Sequence, residues 1–168
     1  MDYRTILMAC SLAVGAAAPA AAAPVTATKN ASGKALILVP LTLTKISDLD
    51  FGTVVTSSTT GTVSIAADGS GQSVTGGVTA VASAPGFRAQ FAGAGTPSEQ
   101  VSLFLGPPAT IKDVNGNSMP ISMSLETNSV TIDATRAFFV GVGGTVSVGA
   151  NQPDGVYTGT FTVLAQYN

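Results

Sequence analysis

The sequence predicts an all-β domain, a sandwich or a barrel, on three observations. Past residue 24 no stretch carries the 3.6-residue periodicity of an amphipathic helix. Short runs rich in Val, Ile, Thr and Phe alternate instead with Gly, Pro, Asn and Asp, the spacing of antiparallel strands joined by turns. The last fourteen residues, Gly155 to Asn168, place Tyr157, Gly159, Phe161, Val163, Ala165 and Tyr167 at every second position. Between them stand Thr158, Thr160, Thr162, Leu164 and Gln166. That period of two belongs to a strand with one face in a core. Chain ends fray unless something ties them down, so a pattern running to the penultimate residue puts the chain end in the core and points to an assembly subunit.

Taken in order, the first element is a targeting segment, residues 1–22. Arg4 supplies a positive start, Ile6 to Val14 an apolar stretch, and Gly15 to Ala23 the small residues that suit signal peptidase. Cleavage is expected after Ala20 to Ala22, since Pro24 disfavours a cut at Ala23. The apolar stretch is too short to span a bilayer, which predicts an exported chain with no membrane span after processing. Cys10 is the single cysteine and lies in this segment, so no disulfide is expected in the mature chain. Leu7-Met8-Ala9-Cys10 only loosely matches a lipoprotein signal. Residues 23–34 are small, polar and weakly alternating, an arm or linker with too little apolar surface to hold a place in a core by itself.

The β-domain is expected over residues 35–168. Its predicted strands are Ala35–Lys45, Phe51–Thr56, Gly61–Ile65, Gly77–Ala82, Phe87–Ala92, Val101–Leu105, Ile121–Leu125, Ser129–Ile132, Ala137–Val142, Thr145–Val148 and Val156–Tyr167. Asp68-Gly69 and Asn115-Gly116 suit tight hairpins. Pro85-Gly86 and Gly106-Pro107-Pro108 remove donors and stop pairing. Gly141-Val142-Gly143-Gly144 predicts a turn or bulge, and Pro153-Asp154-Gly155 a turn into the final strand.

Composition narrows the chemistry. Only 10% of residues are charged and net charge is −2, against about 25% charged in an average domain. No basic cluster exists to neutralise phosphates, which argues against nucleic acid. The chain has no histidine, which removes His-based acid–base catalysis and most zinc sites. Neither an enzyme nor a cofactor is expected. Asp48 and Asp50 share a side if extended and suit a charged corner better than a catalytic or calcium pair. Asp113-Val-Asn-Gly-Asn117 resembles the start of a calcium loop, but Gly116 comes too early and no bidentate acid follows, so a hairpin tip is expected. Arg88 and Lys112 are expected to face solvent. Phe138 and Phe139 could offer a sugar-stacking platform, but in a sandwich one of the two must face inward, so core packing is the better reading.

On this evidence the chain resembles subunits of the chaperone–usher pilus class. The resemblance is carried by the export signal, the N-terminal extension, the alternating last strand, the penultimate Tyr167 and Gly155, fourteen residues from the end. Over most of the mature region it is also similar to an uncharacterised, pilin-like family of short exported bacterial proteins, a domain of unknown function. That likeness rests on Pro40-Leu-Thr-Leu-Thr-Lys-Ile-Ser-Asp-Leu-Asp-Phe-Gly52, Phe138-Phe-Val-Gly-Val-Gly-Gly-Thr-Val146 and Gly155–Tyr167. The chain departs from many pilins in lacking the disulfide that staples the first strands.

The resemblance implies an immunoglobulin-like antiparallel β-sandwich missing one strand. It implies a recognition edge at Gly155, Tyr157, Phe161, Val163, Ala165 and Tyr167, covered first by a periplasmic chaperone and then, after an outer-membrane usher, by a strand from another copy. Donor candidates are Val25 and Ala27 in the arm, or Ala35, Ile37 and Val39. These last three would otherwise form the first strand of their own domain. The implied role is a structural subunit of a surface fimbria. The alternative is a self-contained secreted or surface binding module for carbohydrate or another cell-surface ligand, with residues 35–39 closing its own sheet.

Overall fold

The computed structural model of the chain describes residues 28–108 and 110–168. The predicted targeting segment, together with Val25 and Ala27, lies outside the described residues. The chain divides into two units, Met1–Ala35 and Leu36–Asn168. In the first, residues 28–35 are exposed and form no strand.

The second unit is an all-β antiparallel sandwich, as expected. Its twelve strands are β1 (Thr42–Ser47), β2 (Val54–Val55), β3 (Gly61–Ile65), β4 (Gln72–Gly76), β5 (Thr79–Ala80), β6 (Ala89–Ala94), β7 (Gln100–Gly106), β8 (Thr110–Lys112), β9 (Ser118–Leu125), β10 (Ser129–Thr131), β11 (Ala137–Val148) and β12 (Thr162–Tyr167). The large sheet runs β1-β6-β11-β3-β4, with β9 also paired to β11 and β8 to β9. A second sheet runs β10-β7-β12, and β2 pairs with β5.

The spine is β11. Phe138, Val140, Val142, Val146 and Val148 are all buried on one face. The first two join Val101, Leu103 and Ile132 in one apolar cluster. The last two join Val63, Val78 and Ile111 in another. The core therefore lies along one uninterrupted strand. The turn or bulge expected at Gly141–Gly144 is absent, and the strand pairs without a register shift. A Cβ at Gly141 would overlap the Ala67 carbonyl, and one at Gly143 the Ile65 carbonyl. These glycines let the end of β3 and the loop that follows it lie against an unbroken strand.

Two further expectations are corrected. Residues 35–41 belong to no strand, and the first strand begins only at Thr42. The final strand begins at Thr162, and the tract before it makes a single bridge, Thr158 to Lys112. Strands β4 and β8 were not predicted, because their short polar sequences lack an apolar alternation. Both hairpin tips form as expected, with Gly69 at φ 85° and Gly116 at φ 87°.

Candidate functional site

The C-terminal tract keeps its period of two. Phe161, Val163, Ala165 and Tyr167 are half-buried, while Thr162, Leu164 and Gln166 are exposed. None of the inward row is fully covered. Directly across the ladder, Val101 faces Tyr167 at 0% exposure and Leu103 faces Ala165 at 3%. The contrast places β12 at the rim of the core. Among the described residues it is also an edge strand, bonded to β7 and to no strand on its other side.

The facing rim belongs to β1, the edge of the large sheet. Leu41 and Leu43 pack into the cluster that holds Ala165 and Tyr167. Further along, the Phe91 and Phe161 rings meet edge to face, centroids 6.1 Å apart. Beyond them Leu49 and Phe51 approach Tyr157 and Phe161 around a cavity of about 150 Å³. Leu49, Phe51, Ile111 and Tyr157 also line a second cavity, of about 360 Å³, whose lining includes the exposed Gly155 and Val156. So β1 and the C-terminal tract run antiparallel along an apolar groove that opens near Gly155 and closes at Tyr167.

The groove collects Tyr157 and Phe161 from the predicted edge and leaves Gly155 exposed at its mouth. Val163, Ala165 and Tyr167 continue its wall along β12. The tyrosine hydroxyls are bonded. Tyr157 Oη donates to the Pro153 carbonyl at 2.8 Å and accepts from Gln152 Nε2 at 2.9 Å. Tyr167 Oη donates to the Val39 carbonyl and accepts from the Thr96 N–H, both at 2.8 Å.

Of the donor candidates within the described residues, Ala35, Ile37 and Val39, none belongs to a strand. Ala35 is exposed, Ile37 is 90% exposed and Val39 43%, with Leu36 at 66%. Residues 35–39 therefore do not close their own sheet, which overturns that part of the binding-module expectation. A run of such residues left wet forfeits about 1.5–3 kcal/mol per large side chain.

The acids serve turns. Asp48 binds Lys45 Nζ at 2.6 Å and Asp50 Oδ1 accepts the Gly52 N–H at 2.7 Å, the charged corner expected. Asp113 accepts from the Asn115 and Asn117 N–H groups on Oδ1 and from Asn117 Nδ2 on Oδ2. Those donors, the Asn117 side chain first, hold its carboxyl below the usual value of 3.8. The Thr135 side chain and the Ala137 N–H do the same for Asp133. Arg88 is not solvent-facing as expected. It is half-buried, bonded to the Ala67 carbonyl and to Glu126 Oε2 at 2.9 Å, and that oxygen also accepts the Gly141 N–H. Phe138 is 3% exposed and Phe139 64%, one in and one out as alternation requires.

Sequence reasoning missed the β1 side of the groove, Leu49 and Phe51, because they flank a charged corner. Their spacing of two, continuing the row of Leu41 and Leu43 past a bulge, was the available signal. Nothing in the sequence marks Thr96.

No curated protein and no solved structure matches the chain. A family model does, that of a domain of unknown function (DUF4402), over residues 41–167. That stretch begins at Leu41 and ends at Tyr167, the two side chains that meet where the groove closes, and by this match the chain belongs to the DUF4402 family.

Proposed function

We propose that this chain is a structural subunit of a fimbria- or pilus-like surface polymer. It is exported by residues 1–22, held by a periplasmic chaperone, passed through an outer-membrane usher and joined to its neighbours by donor-strand exchange. The sandwich is immunoglobulin-like and short of one strand. One observation carries the reading. Among the described residues the chain presents an unpaired apolar segment, Leu36 and Ile37, and also an apolar groove with an unpaired edge at β12. Each is what the other lacks. A strand added to β12 would satisfy its open backbone groups and cover Tyr157, Phe161 and Val163. The same edge left open invites aggregation, which is why a chaperone belongs in the pathway. A donor in one copy and an acceptor in the next make a heterologous contact that propagates as a filament.

Deleting residues 23–38 and imaging the product by electron microscopy tests this. Filaments are expected from the full mature chain and none from the truncated one. Filaments of normal length without the segment would refute the proposal.

A second reading, a surface module that binds carbohydrate, has one observation in its favour. Phe139 is exposed on the outer face of the large sheet beside Ala92 and Thr44, a flat apolar ring among small residues. Size-exclusion chromatography separates the two readings: a stable monomer that Phe139→Ala strips of glycan binding supports the second.

A further inference from the structure

The groove is closed at one end by a cycle of three hydrogen bonds. The Val39 N–H donates to Thr96 Oγ1 at 2.8 Å. The Thr96 N–H donates to Tyr167 Oη at 2.8 Å, and Tyr167 Oη donates back to the Val39 carbonyl at 2.8 Å. Both backbone groups of Val39 are thus taken up by side chains of its own domain. The site is built closely. A Cβ at Gly95 would overlap the Tyr167 hydroxyl and would also press on Ile132 and Leu41.

The direction of the chain at this point matters. From Thr42, β1 runs along the groove toward Leu49, antiparallel to β12. For residues 35–38 to enter the groove of their own subunit, the chain would have to reverse at Val39–Thr42 and run back beside both strands. The favoured two-residue reversals between antiparallel strands need positive φ at their first central residue, so here only a longer loop, one that frees Val39 from its bonds, would serve. Pro40 is fixed near −65°, and Val39 and Leu41 are poor at positive φ. Residues 39–42 are not among the positive-φ positions of the described chain. With Val39 bonded on both sides, the residues before it leave at the closed end of the groove, whereas the mouth lies at Gly155, at the far end of the same tract.

We infer that Tyr167 and Thr96 form a latch on Val39 that holds the chain's own apolar segment out of its own groove and presents it to a second copy. The inference rests on the subunit reading for the identity of that partner. It also revises the donor: Val39 belongs to its own subunit, and the segment free to pair with a neighbour ends at Leu38. Tyr167 and Thr96 act here as positioning residues.

The test uses the mature chain, Tyr167→Phe, which keeps the ring and removes the hydroxyl, and Thr96→Val, which removes the acceptor for Val39. Amide hydrogen exchange is followed at Leu36, Ile37 and Val39 in dilute monomer, with filament growth followed by electron microscopy. In the unaltered monomer, Val39 should be protected while Leu36 and Ile37 exchange as open peptide. Each variant should lower Val39 protection about tenfold. Part of the monomer should then show Leu36 and Ile37 protected by self-docking, with filament growth slowed accordingly. Free exchange at Val39 in the unaltered chain overturns the latch. So does protection of Val39 that neither variant changes, or protection of Ile37 in the unaltered monomer. If Val39 behaves as expected but the unaltered chain forms no filament at any concentration, the latch stands and the subunit reading falls.

Discussion

Gly93 on β6 faces Phe138 on β11 in the sheet register, and the Phe138 ring lies over the glycine where a side chain would be. The ring is 3% exposed and cannot swing outward without opening the cluster of Val101, Leu103 and Ile132. Gly93→Ala should therefore destabilise the domain by about 1–3 kcal/mol through overpacking, read from urea midpoints. An unchanged midpoint would mean that the ring has room to move. Charge acts at this scale too. Asp113 and Asp133 are held below the usual carboxylate value by the donors around them. A depressed folded pKa contributes stability above the unfolded value of 3.8 and loses it as pH falls through the folded one. With no histidine in the chain, the melting temperature should vary little from pH 5 to 8 and drop below about pH 4. Asp113→Asn should melt lower than the unaltered chain at pH 7, with the gap narrowing on acidification. A gap that stayed constant down to pH 2 would show that the carboxylate charge at Asp113 is not what its donors stabilise.

The strand β12 turns one pattern into two different edges. Val163 faces Leu105 across the ladder and is half-buried, while its neighbour Leu164 is 58% exposed. Val163→Lys should cost about 1 kcal/mol of burial, whereas Leu164→Lys should stay within about 0.5 kcal/mol of the parent. Equal effects on thermal melting would mean that the two faces do not differ. The period that makes this argument is visible in the sequence, as are β3, whose two ends fall where the alternation puts them, and the hairpin tips at Asp68-Gly69 and Asn115-Gly116. What is not visible depends on contacts distant in the chain. Ala35–Leu41 has the composition of a strand but pairs with none among the described residues. Gly141–Gly144 has the composition of a turn, yet the backbone laid over it keeps it straight. The inward row of the candidate edge was legible from Tyr157 to Tyr167. The opposite wall of the groove, Leu49 and Phe51, and the latch at Thr96 were not, since each is defined by what faces it.

For the whole molecule, the balance of forces between copies follows from composition and from where the few charges sit. Net charge is −2 over 168 residues, so two copies repel one another weakly. The groove wall offers Leu49, Phe51, Ile111 and Tyr157, and the segment proposed to fill it offers Leu36 and Ile37. The charged pair on the β1 side, Lys45 and Asp48, is neutralised within itself. Association should then be driven by apolar burial and strand pairing, neither of which depends on unscreened charge. Raising salt from about 0.05 to 0.5 M shortens the Debye length from roughly 14 to 4 Å. It should shift the concentration at half-assembly less than about twofold, because few charge pairs remain to be screened. Sulfate, which strengthens apolar burial by its exclusion from surfaces, should instead promote assembly at matched ionic strength. Sedimentation of the mature chain across both salts reads the two effects separately. A tenfold or larger weakening in sodium chloride would assign the contact to ion pairs and move the interface away from the groove between β1 and β12.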